Sequence, residues 1–139
     1  MCHSRTFMWY EDLLRKFGPI PSVKPLLLCI EDDSTSFFLR KSVLEQNGYN
    51  VIGASTAQEA LKVLSEAPVC ATITDHFLRG TTGVRLASEM KRIKPDVPII
   101  LYSGTVPKTR GKADVFVNKN EPAASFLRIV AEVVERYRS

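Results

Sequence analysis

Leu26-Leu27-Leu28-Cys29-Ile30-Glu31-Asp32-Asp33 is an apolar run that stops abruptly on a cluster of acids. Apolarity without alternation predicts a strand covered on both faces, the pattern of a parallel sheet. The form recurs downstream: Val69 to Thr74 stops at Asp75, Pro98 to Tyr102 stops at Ser103, and Val115 to Val117 leads through Asn118 to Lys119. Each strand-like fragment therefore delivers a chemically useful group at its carboxyl end. Asn50 to Ala54 reads as a further strand without such a group.

Between these fragments the apolar period changes to that of helices. Ser34 caps a helix running to about Asn47, with Phe37, Phe38, Leu39, Val43 and Leu44 as its buried face and Gly48 as its stop. Ser55 or Thr56 caps a second that uses Ala60, Leu61, Val63 and Leu64, closed by Pro68. A third spans Val84 to Ile93 with Leu86, Ala87, Met90 and Ile93 at core spacing, and an amphipathic terminal helix covers Glu121 to Tyr137. Between Ser103 and Lys119, the stretch Thr105 to Lys112 contains Pro107 and Gly111 and no apolar periodicity. The fourth helix is therefore expected to be short or missing.

Alternating strand and helix units build an α/β fold with a doubly wound, five-stranded parallel sheet, because a right-handed helical crossover carries one strand to its parallel neighbour. Loops at the carboxyl ends of the strands then share one edge, where open parallel sheets bind ligands. The reactive groups are expected to meet there.

Residues 1–25 differ in character and end in Gly18-Pro19-Ile20-Pro21 and Lys24-Pro25. They read as an arm and linker before a domain at 26–139. Phe7, Tyr10, Leu14 and Phe17 fall on one side of a short helix, which leaves open docking on its own domain, docking on a second copy as a homodimer, or a poorly ordered terminus.

The 139 residues carry a net charge of +4, but the basic side chains are scattered from Arg5 to Arg138 among acids, so no stripe suited to nucleic acid emerges. No apolar stretch reaches membrane-spanning length. Cys2, Cys29 and Cys70 form no close metal-type pair, and Cys29 and Cys70 lie in apolar runs where a thiol packs as a small hydrophobe. A reducing, cytoplasmic location is the expectation.

Glu31, Asp32 and Asp33 also suit a solvated turn with helix-capping acids. Asp75 at the same rim changes the balance, since crowded carboxylates repel unless a hard cation sits between them. Magnesium fits, taking few carboxylates, water and a phosphate oxygen. With Lys119 and Ser103 the set makes a metal-assisted phosphoryl site in which Asp75 is the nucleophile. His76 reads as a loop or packing residue. Gly104 to Lys112 lacks the spacing and the hydroxyl of a phosphate-binding loop.

Taken in order, Leu-Cys-Ile-Glu31-Asp32-Asp33, Thr-Asp75-His-Phe-Leu-Arg-Gly-Thr-Thr-Gly83, Ile-Ile-Leu-Tyr-Ser103-Gly104 and Val-Phe116-Val-Asn-Lys119 resemble the signatures of a two-component response-regulator receiver domain. The resemblance implies the flavodoxin-like (βα)5 receiver fold with strand order 2-1-3-4-5. It implies that Asp75 accepts a phosphoryl group from a histidine kinase or phosphotransfer protein. Glu31 and Asp32 would hold Mg2+ with Asp75 and the main-chain carbonyl of Phe77. Lys119 would pair with the phosphoryl oxygens, Ser103 and Phe116 would switch, and Phe77 and Thr105 would gate the hydrolytic water.

The implied protein is a single-domain regulator, a switch acting on an unknown downstream protein and not an enzyme beyond its own phosphorylation and dephosphorylation. Arg79 and Asn120 stand where the family generally has prolines, although Lys119-Asn120-Glu121-Pro122 resembles the Lys-x-Glu-Pro ending of compact stand-alone receivers. Two rivals follow. A pseudo-receiver would bind a partner without phosphorylation. An aspartate-nucleophile phosphatase would want an acid two residues after Asp75, where Phe77 stands.

Overall fold

The computed structural model describes residues 23–138 continuously, together with Asp12, Arg15 and Lys16. The reading of Phe7, Tyr10, Leu14 and Phe17 as one helix face lies outside the described residues. The chain runs β1 (Leu26–Ile30), α1 (Ser34–Gln46), β2 (Asn50–Ala54), α2 (Ala57–Glu66), β3 (Ala71–Thr74), β4 (Phe77–Leu78), β5 (Thr81–Thr82), α3 (Gly83–Ile93), β6 (Ile99–Ser103), β7 (Val115–Asn118) and α4 (Ala123–Arg138).

Five strands form one parallel sheet in the order β2-β1-β3-β6-β7, which is the expected 2-1-3-4-5 once the short β4–β5 pair is set apart. The chain goes from β1 outward to β2 and then returns to β3 on the other side. A crevice therefore opens above the carboxyl ends of β1 and β3.

Strand parity assigns the two layers, because successive side chains point to opposite faces. Leu28, Ile30, Ile99 and Leu101 pack with Ala60, Leu64, Leu86 and Met90 under α2 and α3. Leu27, Ile73, Ile100 and Val117 pack with Leu44, Phe126, Val130 and Val134 under α1 and α4. The continuous apolar runs are buried on both sides, as their lack of alternation requires.

Local chemistry sets the helix starts. Asp33, not Ser34, caps α1, its carboxylate accepting the Ser36 N–H at 2.9 Å. Thr56 caps α2 by accepting the Glu59 N–H at 3.1 Å, and Thr82 caps α3 by accepting the Arg85 N–H at 3.2 Å. No helix forms between β6 and β7. That connection is anchored by Asp114, whose Oδ2 accepts the Ile99 N–H at 2.8 Å and pairs with Lys91 Nζ at 2.8 Å.

The β4–β5 hairpin was not anticipated. Its strands are too short for any periodicity to register, and the turn depends on Gly80 at a left-handed φ of +77°. Cys29 is a free, buried thiol as expected, but Cys70 is disulfide-bonded, so it gives no support to a reducing compartment. Among the described residues no helix is long and apolar enough to cross a membrane.

Gly83, eight positions after Asp75, stands where the backbone leaves no space for a side chain. Its N–H donates to the His76 carbonyl at 2.6 Å, and a Cβ there would collide with the Asp75 main-chain carbonyl and the Leu101 side chain. Only a glycine lets α3 start directly against the strand end that carries Asp75. Gly83→Ala is expected to cost roughly 1–3 kcal/mol of stability through this overpacking, measured by urea unfolding.

Candidate functional site

Asp75 and Glu31 follow the ends of adjacent strands, β3 and β1, which are in register at Ile30 and Thr74. The Asp75 N–H donates to the Ile30 carbonyl at 3.2 Å, so backbone pairing itself sets the two carboxyl groups side by side. Lys119, just past β7, reaches over from the other side. Its Nζ lies 3.1 Å from Asp75 Oδ2 and 3.7 Å from Glu31 Oε1. The other Asp75 oxygen, Oδ1, accepts the His76 N–H at 2.7 Å.

The electrostatics are those of a crowded acid pair held by one lysine. Burial pushes the Glu31 carboxyl above its ordinary range, and the neighbouring Asp75 charge adds to this; Lys119 and Arg40 act against it. Asp33 goes the other way, because its carboxylate accepts hydrogen bonds from Ser36.

The remaining expected site residues are placed less tightly. Asp32 is half-buried and lines a cavity with Glu31, Ser34, Phe37 and Ser55. Ser103 is buried at the end of β6; its hydroxyl accepts the Thr105 N–H at 3.2 Å, and its carbonyl accepts the Lys119 N–H at 2.9 Å. No hydrogen bond or ion pair among the described residues joins Asp32 or Ser103 to Asp75. Phe77 is exposed in β4 and shares a groove with Thr105, Val106 and His76. Phe116 is half-buried on the α2–α3 side of the sheet. His76 has the packing role expected of it, its ring 4.7 Å from that of Phe77.

The acids fit a hard cation of modest ligand demand. Glu31 Oε2 is buried with no hydrogen-bond partner, and the donors at hand are all oxygens. No group of three or more His, Cys, Asp or Glu side chains is gathered as a ready-made cluster among the described residues.

The chain matches the response regulator receiver domain family over residues 27–121. It belongs to that family. A putative NtrX-like response regulator of Rickettsia felis is 34% identical over 80 residues, 56% of this chain and 17% of that protein. The transcriptional regulatory protein GlrR of Escherichia coli is 30% identical over 83 residues, 58% of this chain and 19% of that protein. The chain thus spans about one fifth of the length of these relatives.

Solved receivers share the fold. A CheY-like receiver domain protein of Methanospirillum hungatei superposes with a TM-score of 0.78 at 21% identity, covering 83% of this chain and 97% of that one. The response regulator TrrA of Thermotoga maritima, in complex with Mg2+ and BeF, gives a TM-score of 0.74 at 25% identity, covering 78% and 98%.

Sequence reasoning missed Arg40. It is 7% exposed, on the inner face of α1 with Leu44, where the 37–40–44 stripe calls for an apolar residue. A charge at that position was the available signal.

Glu31 makes receiver stability depend on pH. A carboxyl raised in the folded state keeps its proton where the unfolded chain has lost it, so stability falls as pH rises above the ordinary value of 4.5. Metal-free Glu31→Gln is expected to lose that descending portion, leaving the protein more stable than wild type at pH 7.5 by about 2–4 °C in Tm. Thermal unfolding across pH 4–8 checks it.

Proposed function

We propose that this receiver domain is a phosphoacceptor switch in which Asp75 takes a phosphoryl group from the phosphohistidine of a histidine kinase or phosphotransfer protein. The observation that carries this reading is the Lys119 contact with both Asp75 and Glu31. A cation is already stationed where a transferring anion would need it.

The chemistry asked of each residue is specific. Asp75 Oδ2 attacks phosphorus while the P–N bond to the donor imidazole breaks, its electron pair returning to the ring. The His76 N–H on Oδ1 fixes one carboxylate oxygen, and the other, Oδ2, is the one that Lys119 contacts. Lys119 moves with the charge, from carboxylate oxygen to phosphoryl oxygen. Glu31 and Asp32 are the residues that would hold Mg2+, with Asp75 and the Phe77 carbonyl completing the set. Bound there, the ion would offset the negative charge shared by carboxylates and phosphoryl group.

In this reading Ser103 and Phe116 convert the added charge into a changed surface for a downstream protein. In this reading the chemistry of the receiver domain is its own phosphorylation and dephosphorylation, that of a switch and not of an enzyme, acting in the cytoplasm beside its kinase. Phe77, bulky and apolar near the acceptor, keeps the hydrolytic water out.

Incubation with Mg2+ and acetyl phosphate is expected to add one phosphoryl group by intact mass, absent in Asp75→Asn. A wild-type protein that stays unmodified under saturating acyl phosphate would instead support the pseudo-receiver reading. In the same assay Phe77→Asn is expected to shorten the phosphorylated lifetime several-fold; an unchanged decay would remove Phe77 from water exclusion.

A further inference from the structure

Arg40 is a buried cation one carboxylate away from the acceptor, and its contacts are poor ones for stability. Its Nη1 donates to the Cys29 Sγ at 3.6 Å, and its Nη2 lies 4.0 Å from Glu31 Oε1. Taking a guanidinium out of water for a thiol and one long ion pair is a weak return, and a packed apolar side chain usually does as well or better there. What fixes the group is an aromatic floor. Tyr102 lies beneath the guanidinium, 4.8 Å from its centroid, and Tyr102 is itself stacked on Phe126 of α4 at 4.4 Å.

Charge counting at the rim shows what a second cation can do. Three acids, Glu31, Asp32 and Asp75, follow the strand ends at this rim, and Lys119 contacts two of them. A phosphoryl group on Asp75 adds negative charge and, on the reading above, draws Lys119 away from Glu31. Glu31 then has only Arg40 left on its Oε1 side. Before phosphorylation the same Arg40 has the opposite effect, since a fixed positive charge beside Glu31 disfavours a dication in the pocket.

We propose that Arg40 is a positioning residue of the phosphoacceptor site, a buried counter-charge that acts through Glu31 to disfavour the metal-only pocket and favour the phosphorylated one. The inference rests on the phosphoacceptor reading and extends it to a residue outside the acid, lysine and hydroxyl set. Its signature is an opposed pair of effects.

The test uses the full chain with Arg40→Met, which keeps length and removes charge, and Arg40→Lys, which keeps charge. Three quantities are read: the Mg2+ dissociation constant, the dissociation constant of beryllofluoride at saturating Mg2+, and Tm. Arg40→Met is expected to bind Mg2+ about threefold or more tighter and beryllofluoride about fivefold or more weaker, with Tm unchanged or higher. Arg40→Lys stays within about twofold of wild type on both constants.

Constants that do not move, or that weaken together while Tm falls, would overturn the proposal and leave Arg40 a packing residue. If Arg40→Met does not fold, Arg40→Gln must show the same opposed shifts or the proposal fails. A wild-type protein that binds neither Mg2+ nor beryllofluoride overturns the phosphoacceptor reading itself, an outcome distinct from a wild type that binds both and an Arg40 variant that shows no split.

Discussion

The repulsion between Glu31 and Asp75 is the constraint on which this molecule turns. Parallel pairing of β1 with β3 brings the residues after Ile30 and Thr74 together whether or not their charges agree. The sheet is held by buried apolar strands and a full hydrogen-bond ladder, so it cannot yield to relieve two carboxylates at its rim. Relief has to come from elsewhere, and Lys119 supplies it from β7, three strands over from β1. The site is a place where rigid backbone geometry maintains an electrostatic conflict that one lysine, in contact with both acids, offsets.

Much of this was legible in the sequence because the deciding signals are local. Uninterrupted apolarity in Leu26 to Ile30, with the strand-like runs Val69 to Thr74 and Pro98 to Tyr102, marked strands of a covered sheet, and the chemical groups that follow them fell at one rim by topology alone. The absence of a helix over Thr105 to Lys112 was legible for the same reason, since Pro107, Gly111 and the lack of a 3.6-residue stripe leave nothing to bury. Other features turn on hydrogen-bond choices, backbone dihedrals or distant partners that no periodicity registers. The cap at Asp33 and not Ser34 turns on which side chain meets the Ser36 N–H, and the β4–β5 hairpin on a backbone turn at Gly80. The contact of Arg40 with Glu31 and Tyr102 joins β1, α1 and β6, elements that no local window contains together.

Strand parity also separates the residues around the acceptor into two environments. Glu31 and Cys29 share the parity of Leu27 and face the α1–α4 layer, where Arg40, Tyr102 and Phe126 form a stack packed between two long helices. Phe116, paired with Leu101, faces the α2–α3 side, the side from which a helix between β6 and β7 is missing. One face of the sheet at this end is thus covered by two helices, with a cavity of about 300 Å³ between them lined by Arg40, Tyr102 and Phe126, and the other is closed by a connection of irregular backbone.

That asymmetry governs where a change at Asp75 is felt. On the α1–α4 side an altered charge meets a cation already buried and stacked on Tyr102, so the response there begins as a redistribution of electrostatic energy. On the other side the connection is pinned at its ends, by Ser103 and Thr105 near the acceptor and by Asp114 at the far edge, while Val106 between them is largely exposed. A segment fixed at both ends and solvated in the middle rearranges at far lower cost than a packed helix does. With no helix there to shift as a unit, the phosphoacceptor switch we propose would express a signal leaving by way of Ser103 as a change in that connection and in the groove it forms with Phe77 and His76.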